Sequence, residues 1–384
     1  MTVFKLRGFN PWYLSLLLIS GCSLFQTDNT PPPAPLVEFT PSLTLTTLWR
    51  ARTLAHLDER QLQMSPVVYQ QQIIIAAPNG YIQVFDFKNG KLLWTTETEL
   101  EITAGAGVDE STILIGSRNG QVAALSLTEG TMRWQTQVSS EILSAPQSHQ
   151  GVVVVRTVDG KLWGLSSQTG EQLWVYERDM PILSLRGTSK PLIIDRFVIA
   201  GFDNGKIAVL EHATGKLLWE TPIAIPRGRS ELERMVDIDA DPILRDDVLY
   251  VSSYSKRTVA LALRQGSLLW ERDLGTPIGL AVDNKAVYLS GGQSHLWALE
   301  RTSGNALWKQ EKLHGREISA PAVIANYVVV GDAEGYLHWL QQDSGQFAAR
   351  YRFGRTPLLG HLQVQDNVLI AANRQGELIA LQPQ

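Results

Sequence analysis

One phrase recurs along the chain and leaves few folds open to it. Its cleanest copy runs Asn119–Trp134: an Asn-Gly pair, QVAAL, LTEG and TMRW. It returns as DGKLWGL-SSQTG-EQLW at 159–174 and as NGKIAVL-EHATG-KLLW at 204–219. A repeat of this kind is one supersecondary unit that cannot bury its apolar faces alone, so neighbouring copies must stack. The tryptophan column runs Trp49, Trp94, Trp134, Trp174, Trp219, Trp270 and Trp308, with Phe347 in the eighth place. Successive spacings are 45, 40, 40, 45, 51, 38 and 39 residues. A second column, a turn followed by a strand, also has eight members, from NGYIQVF at 79–85 to QGELIAL at 375–381.

Each unit holds four short runs. In the third they are LSAPQS (143–148), VVVVRT (152–157), KLWGLS (161–166) and EQLWVY (171–176). Short β-branched or alternating runs between turn signals predict strands. The Asn-Gly and Asp-Gly pairs supply the positive-φ residues that a tight hairpin needs. Four-stranded units at this period predict propeller blades. The column tryptophans can wedge between blades, each aromatic hiding roughly 150–250 Å². The last unit stops after its third strand, and the run around Trp49 is a fourth strand with nothing before it. Paired together they complete a blade and remove exposed edges. The expectation is therefore all-β: an eight-bladed β-propeller of four-stranded antiparallel blades, closed by pairing the N-terminal strand with the C-terminal blade. A seven-blade ring with an unpaired N-terminal strand is the alternative.

The N-terminus reads differently. Lys5 and Arg7 precede the apolar run at 11–20, and Leu18-Ile19-Ser20-Gly21-Cys22 follows. The run is too short to span a bilayer, which takes about 20 residues, and reads as the core of a secretory signal. The stretch resembles a bacterial lipobox, which implies cleavage before Cys22 and lipidation of Cys22. Ser23, not Asp, follows it, which in such lipoproteins implies delivery to the outer membrane. Several acyl chains on one Cys anchor stably. The expected organisation is a signal over 1–21, a lipidated Cys and Pro-rich tether over 22–41, and the propeller over 42–384.

Function classes narrow by subtraction. With 34 Lys and Arg against 38 Asp and Glu, the formal charge is -4, so no basic excess exists to drive nucleic-acid binding. The seven histidines are scattered one at a time, without a metal-ligand spacing. Cys22 is the sole cysteine, which rules out an intrachain disulfide. Arg227-Gly228-Arg229 reads as a solvated loop in preference to an anion site, and Gly105-Ala106-Gly107 as a bend or bulge beside a strand in preference to a phosphate cradle. No catalytic motif, metal site or cofactor is expected.

Two connections are long. They span roughly 177–191 and 221–242, after the Trp strands of the third and fourth units. In an up-and-down blade the fourth strand ends on the face where the next blade begins, so both emerge on one face. The first, Met180-Pro181-Ile182-Leu183-Ser184-Leu185-Arg186-Gly187, is apolar for a loop; the second carries Asp237 and Asp239 among apolar residues. Apolar anchors with charges for register suit a protein partner. The bland alternative tucks Leu183 and Leu185 under their own loop and pairs the two aspartates with Arg229 or Arg234.

The phrase ATGKLLW at 213–219 resembles the repeat of pyrroloquinoline-quinone dehydrogenases. In those repeats the Gly and Trp dock blades and do not touch the quinone. A periplasmic quinone- or sugar-dependent enzyme is thus a second reading, without the paired cysteines many of those enzymes carry. DMPILSLRG (179–187), DNGKIAVL (203–210) and VVVGDAEGYLHWL (328–340), with the lipobox and tether, resemble the BamB family of outer-membrane assembly lipoproteins. The resemblance covers essentially the whole chain. It implies a non-catalytic scaffold on the periplasmic side of the outer membrane, in a complex that assembles β-barrel proteins. It further implies that Leu183, Leu185, Arg186, Asp237 and Asp239 contact the periplasmic domains of the central barrel subunit, BamA.

Overall fold

Eight four-stranded antiparallel sheets are arranged as propeller blades in a computed structural model. The structure describes residues 32–54, 64–185, 189–358 and 360–384. Seven blades are built from consecutive strands, as the third is from Gln147–His149, Val152–Arg156, Lys161–Ser166 and Gln172–Glu177. The eighth takes Gln363–Gln365, Val368–Ala372 and Glu377–Pro383 from the end of the chain and Leu45–Arg52 from its beginning. That closing pair is antiparallel, from Leu45 opposite Pro383 to Arg52 opposite Glu377. The ring of eight and its closure agree with the sequence.

Burial follows strand position. Second strands such as Val152–Arg156 are buried throughout, whereas fourth strands such as Gln172–Glu177 alternate and turn only one face inward. The inward residue is the column tryptophan, and it leans on the next blade. Its indole N–H donates to a backbone oxygen there: Trp49 to Phe87, Trp94 to Leu127, Trp134 to Ser167, Trp174 to His212, Trp219 to Leu263, Trp270 to Arg301 and Trp308 to Gln342, at 2.7–3.2 Å. The ring also covers the Gly of the next blade's last turn. Gly215 has φ +69°, and a Cβ there would lie 2.5 Å from Trp174 Cε3. Only glycine meets both demands.

The seam between the seventh and eighth blades is built another way. Register places Ala349 opposite Trp339, with Phe347 opposite Leu340 beyond a bulge. Ala349, not Phe347, therefore occupies the tryptophan position, which corrects the column. Elsewhere the residue across from the tryptophan is small, as Val209 faces Trp219 and Ala260 faces Trp270. Here the large partner has moved to the third strand, where Trp339 is fully buried. The eighth blade offers no Gly turn to lean on, because its third and fourth strands come from opposite ends of the chain.

An extended arm lies against the seventh blade instead. Ala34 N–H donates to His314 O, Arg316 and Arg350 donate to the carbonyls of Ala34 and Val37, and Ser42 N–H donates to Ala348 O. Phe39 stacks on Phe347 with ring centroids 5.4 Å apart. Residues that the sequence assigns to the tether are thus fastened to the seventh blade from Ala34 onward.

Candidate functional site

The fourth blade comprises Leu192–Ile194, Phe197–Gly201, Lys206–Glu211 and Leu217–Pro222. Residues 178–191 lead into it and residues 223–242 lead out of it. Each joins a fourth strand to the next blade's first, so both rise on the same face, beside the Asp203–Gly205 turn.

The first loop presents apolar side chains. Ile182 is 90% exposed and Leu183 42%, while Leu185 is half-buried. Arg186 lies outside the described residues, as does Cys22. The second loop is exposed from Glu231 to Arg234, with Leu232 64% accessible, and then dives. From Met235 to Ala240 every residue is buried. The reason is the apolar interleaving: Ile238 is fully buried against Gly201, where a Cβ would come within 2.4 Å of it. Asp237 and Asp239 alternate with it and are carried inward.

Those two aspartates sit beneath the surface rather than on it. Asp237 is 0% exposed and Asp239 7%. Asp237 Oδ1 accepts the Leu185 N–H at 2.8 Å, which ties the first loop to the second. Asp241 repeats the device, accepting the Lys190 N–H at 2.6 Å. Neither Arg229 nor Arg234 pairs with the buried aspartates in the described contacts; Arg234 reaches Glu231 at 3.6 Å, and the Arg229 N–H donates to Glu233.

The cation near them is one that sequence reading missed. Arg156 ends the apolar run VVVVR of the third blade and is 1% exposed. Its Nη2 donates to Asp203 Oδ1 at 2.5 Å, its Nη1 donates to Ser189 Oγ at 3.2 Å, and its guanidinium lies over the Phe202 ring. Asp203, Asp237 and Asp239 each bring a carboxylate oxygen within 4.8 Å of the others. Asp237 Oδ2 and Asp239 Oδ1 are buried without a hydrogen-bond partner. Burial pushes Asp237 up to about 6, against the opposing pull of the Leu185 N–H. Burial likewise pushes Asp239 up to about 7, with Arg156 pulling the other way. A charge at the end of an all-valine run, and an Asp directly before an Asn-Gly turn, were the signals available.

Chemically, the face offers apolar anchors above a braced, acidic floor. The blade count and the Trp–Gly seams define a PQQ-like-repeat β-propeller. Residues 78–310 match the family described as outer membrane protein assembly factor BamB, and the chain belongs to that family. It is 49% identical over 335 residues to the BamB of Alkalilimnicola ehrlichii, covering 87% of this chain and 88% of that one. The BamB of Pseudomonas aeruginosa is 45% identical, with 88% of each chain covered. The crystal structure of BamB from Moraxella catarrhalis superposes with a TM-score of 0.80 at 30% identity, covering 88% of this chain and all of that one. A quinohemoprotein alcohol dehydrogenase from Comamonas testosteroni superposes at 0.70 with 14% identity, over 88% of this chain and 76% of its own, a likeness of fold alone.

Proposed function

We propose that this chain is a non-catalytic scaffold of outer-membrane protein assembly, anchored through lipid on Cys22 to the periplasmic side of the outer membrane. Its two-loop face docks the periplasmic domains of a BamA-like central barrel subunit, within a complex that helps outer-membrane proteins fold and insert. Family membership supports the assembly role. One observation supports the face: two insertions distant in sequence are laced together by the Leu185–Asp237 hydrogen bond under exposed Ile182, Leu183 and Leu232. Apolar anchors at the centre of a patch carry most of the energy of an interface, and charges around them set register. Leu183 and Arg186 make the contact in this reading. Asp237 and Asp239 act from below, by holding the loops in place.

The test is co-purification from detergent-solubilised outer membranes. Leu183→Asp combined with Arg186→Glu is expected to lose most of the barrel subunit, with circular dichroism and Tm unchanged. Asp237→Asn is expected to weaken the association less, because it loosens the brace without removing an anchor. Full retention of the partner by the Leu183/Arg186 variant contradicts the assignment.

A further inference from the structure

Among the described residues, the acidic floor of the loop face holds more negative charge than the cation bonded to it balances. Three carboxylates converge, and among the described residues one guanidinium, Arg156, lies against them, donating to Asp203 and Ser189. Two oxygens, Asp237 Oδ2 and Asp239 Oδ1, are buried with no hydrogen-bond donor among the described residues. A buried carboxylate oxygen without a donor is strongly unfavourable, and native proteins satisfy such groups with a proton, a charged partner or a metal ion. The donor set is all oxygen and all hard, which selects against zinc and copper and in favour of calcium or magnesium.

We propose that Asp203, Asp237 and Asp239 bind one calcium ion, which clamps the turn of the fourth blade to the second long loop. Calcium–oxygen distances of about 2.3–2.6 Å place oxygens on opposite sides of the ion roughly 4.6–5.2 Å apart. The three carboxylate oxygens, all within 4.8 Å of one another, fall inside that span. Magnesium, at about 2.0–2.1 Å, demands near-ideal octahedral geometry and gives up its waters reluctantly, so a buried all-carboxylate site favours calcium. A divalent ion also matches the charge of the described residues there: three carboxylates less one guanidinium leave two negative charges. Asp237 Oδ1 keeps its Leu185 N–H while the orphaned Oδ2 turns to the ion, so the clamp extends to the first loop. This proposal stands apart from the partner reading, since it is tested without any partner present.

The experiment is a calorimetric calcium titration of the full chain after stripping with a chelator, with Tm followed in parallel. One ion per chain and a Tm that climbs with calcium concentration are expected, because a ligand bound only by the folded state stabilises it by mass action. Magnesium is expected to bind at least about tenfold more weakly. Asp239→Asn and Asp203→Asn are each expected to weaken calcium by about tenfold or more, since calcium affinity follows the count of charged ligands. Absence of both binding heat and Tm change at millimolar calcium overturns the site. So does one-to-one binding that survives unchanged in both variants. Should either variant fail to fold, the other and the wild-type titration still decide.

Discussion

Histidine 338 is buried completely and bonds Asp332 Oδ2 at 2.8 Å, with Arg316 on the same carboxylate. Burial holds the imidazole below its usual pKa, and Asp332 offsets only part of that. Burial alone would raise Asp332, but the bonds from His338, the Tyr336 N–H and Arg316 outweigh it and hold the carboxyl below its usual range. The sign follows for both groups. Below about pH 6.5 the unfolded chain takes up a histidine proton that the folded chain refuses, so stability falls on acidification. The carboxylate's contribution is present above about pH 4 and is lost as pH falls through its depressed folded value. Tm measured from pH 7.5 to 5 is expected to fall less steeply in His338→Gln than in the wild-type chain. Equal slopes would contradict the buried neutral imidazole. Little of this was legible in the sequence, where His338 is one of seven scattered histidines. Asp237 and Asp239 stood out in the sequence as charges within an apolar loop, but not as buried ones, because their depth depends on Ile238 entering under Gly201. Arg156 and Asp203 come from separate blades, and no local pattern links them.

At the scale of the element, the Trp–Gly seam is the unit of assembly. Each indole fills the space beside a positive-φ glycine and gives its N–H to the carbonyl of the neighbouring blade. Trp134→Ala removes both contacts and leaves Ser167 O without its indole donor. A large-to-small change of this kind costs about 3–5 kcal/mol, which denaturant melting is expected to register. Phe39→Ala removes the stacking over Phe347 from an arm that is only half-buried, and is expected to cost less. Six of the seven tryptophans were readable because each follows its turn glycine at one spacing, and Trp49, which no turn precedes, was read from its strand alone. The column slipped at Phe347 because the seventh blade moves its bulk to Trp339, and a sequence column records spacing, not which of two facing strands carries the volume. The third blade's first strand was also placed early, in the run 143–148: it begins at Gln147, and Pro146 O lies against Gly107, where a Cβ would come within 1.7 Å. The Gly105–Gly107 stretch carries a bulge, but within the strand Ile102–Val108 and not beside it, with register shifts on either side of Ala104.

For the whole molecule, the even ring makes the exceptions informative. Blades occupied by packing against each other leave binding to the connections on their faces. The eight-fold count and its closure were legible, because both follow from periodicity and from two incomplete ends. That the two long connections form one surface was legible from topology alone. That the surface is cross-braced from beneath was not, since the brace runs from a backbone N–H at Leu185 to a side chain at Asp237. In the proposed function this braced face receives the partner. Hydrogen exchange of the chain with and without the periplasmic domains of the barrel subunit tests it most directly. Slowed exchange concentrated in residues 178–191 and 223–242, with the far side of the ring unchanged, is the predicted result. Protection confined to other connections, with both long loops exchanging as in the isolated chain, would contradict it.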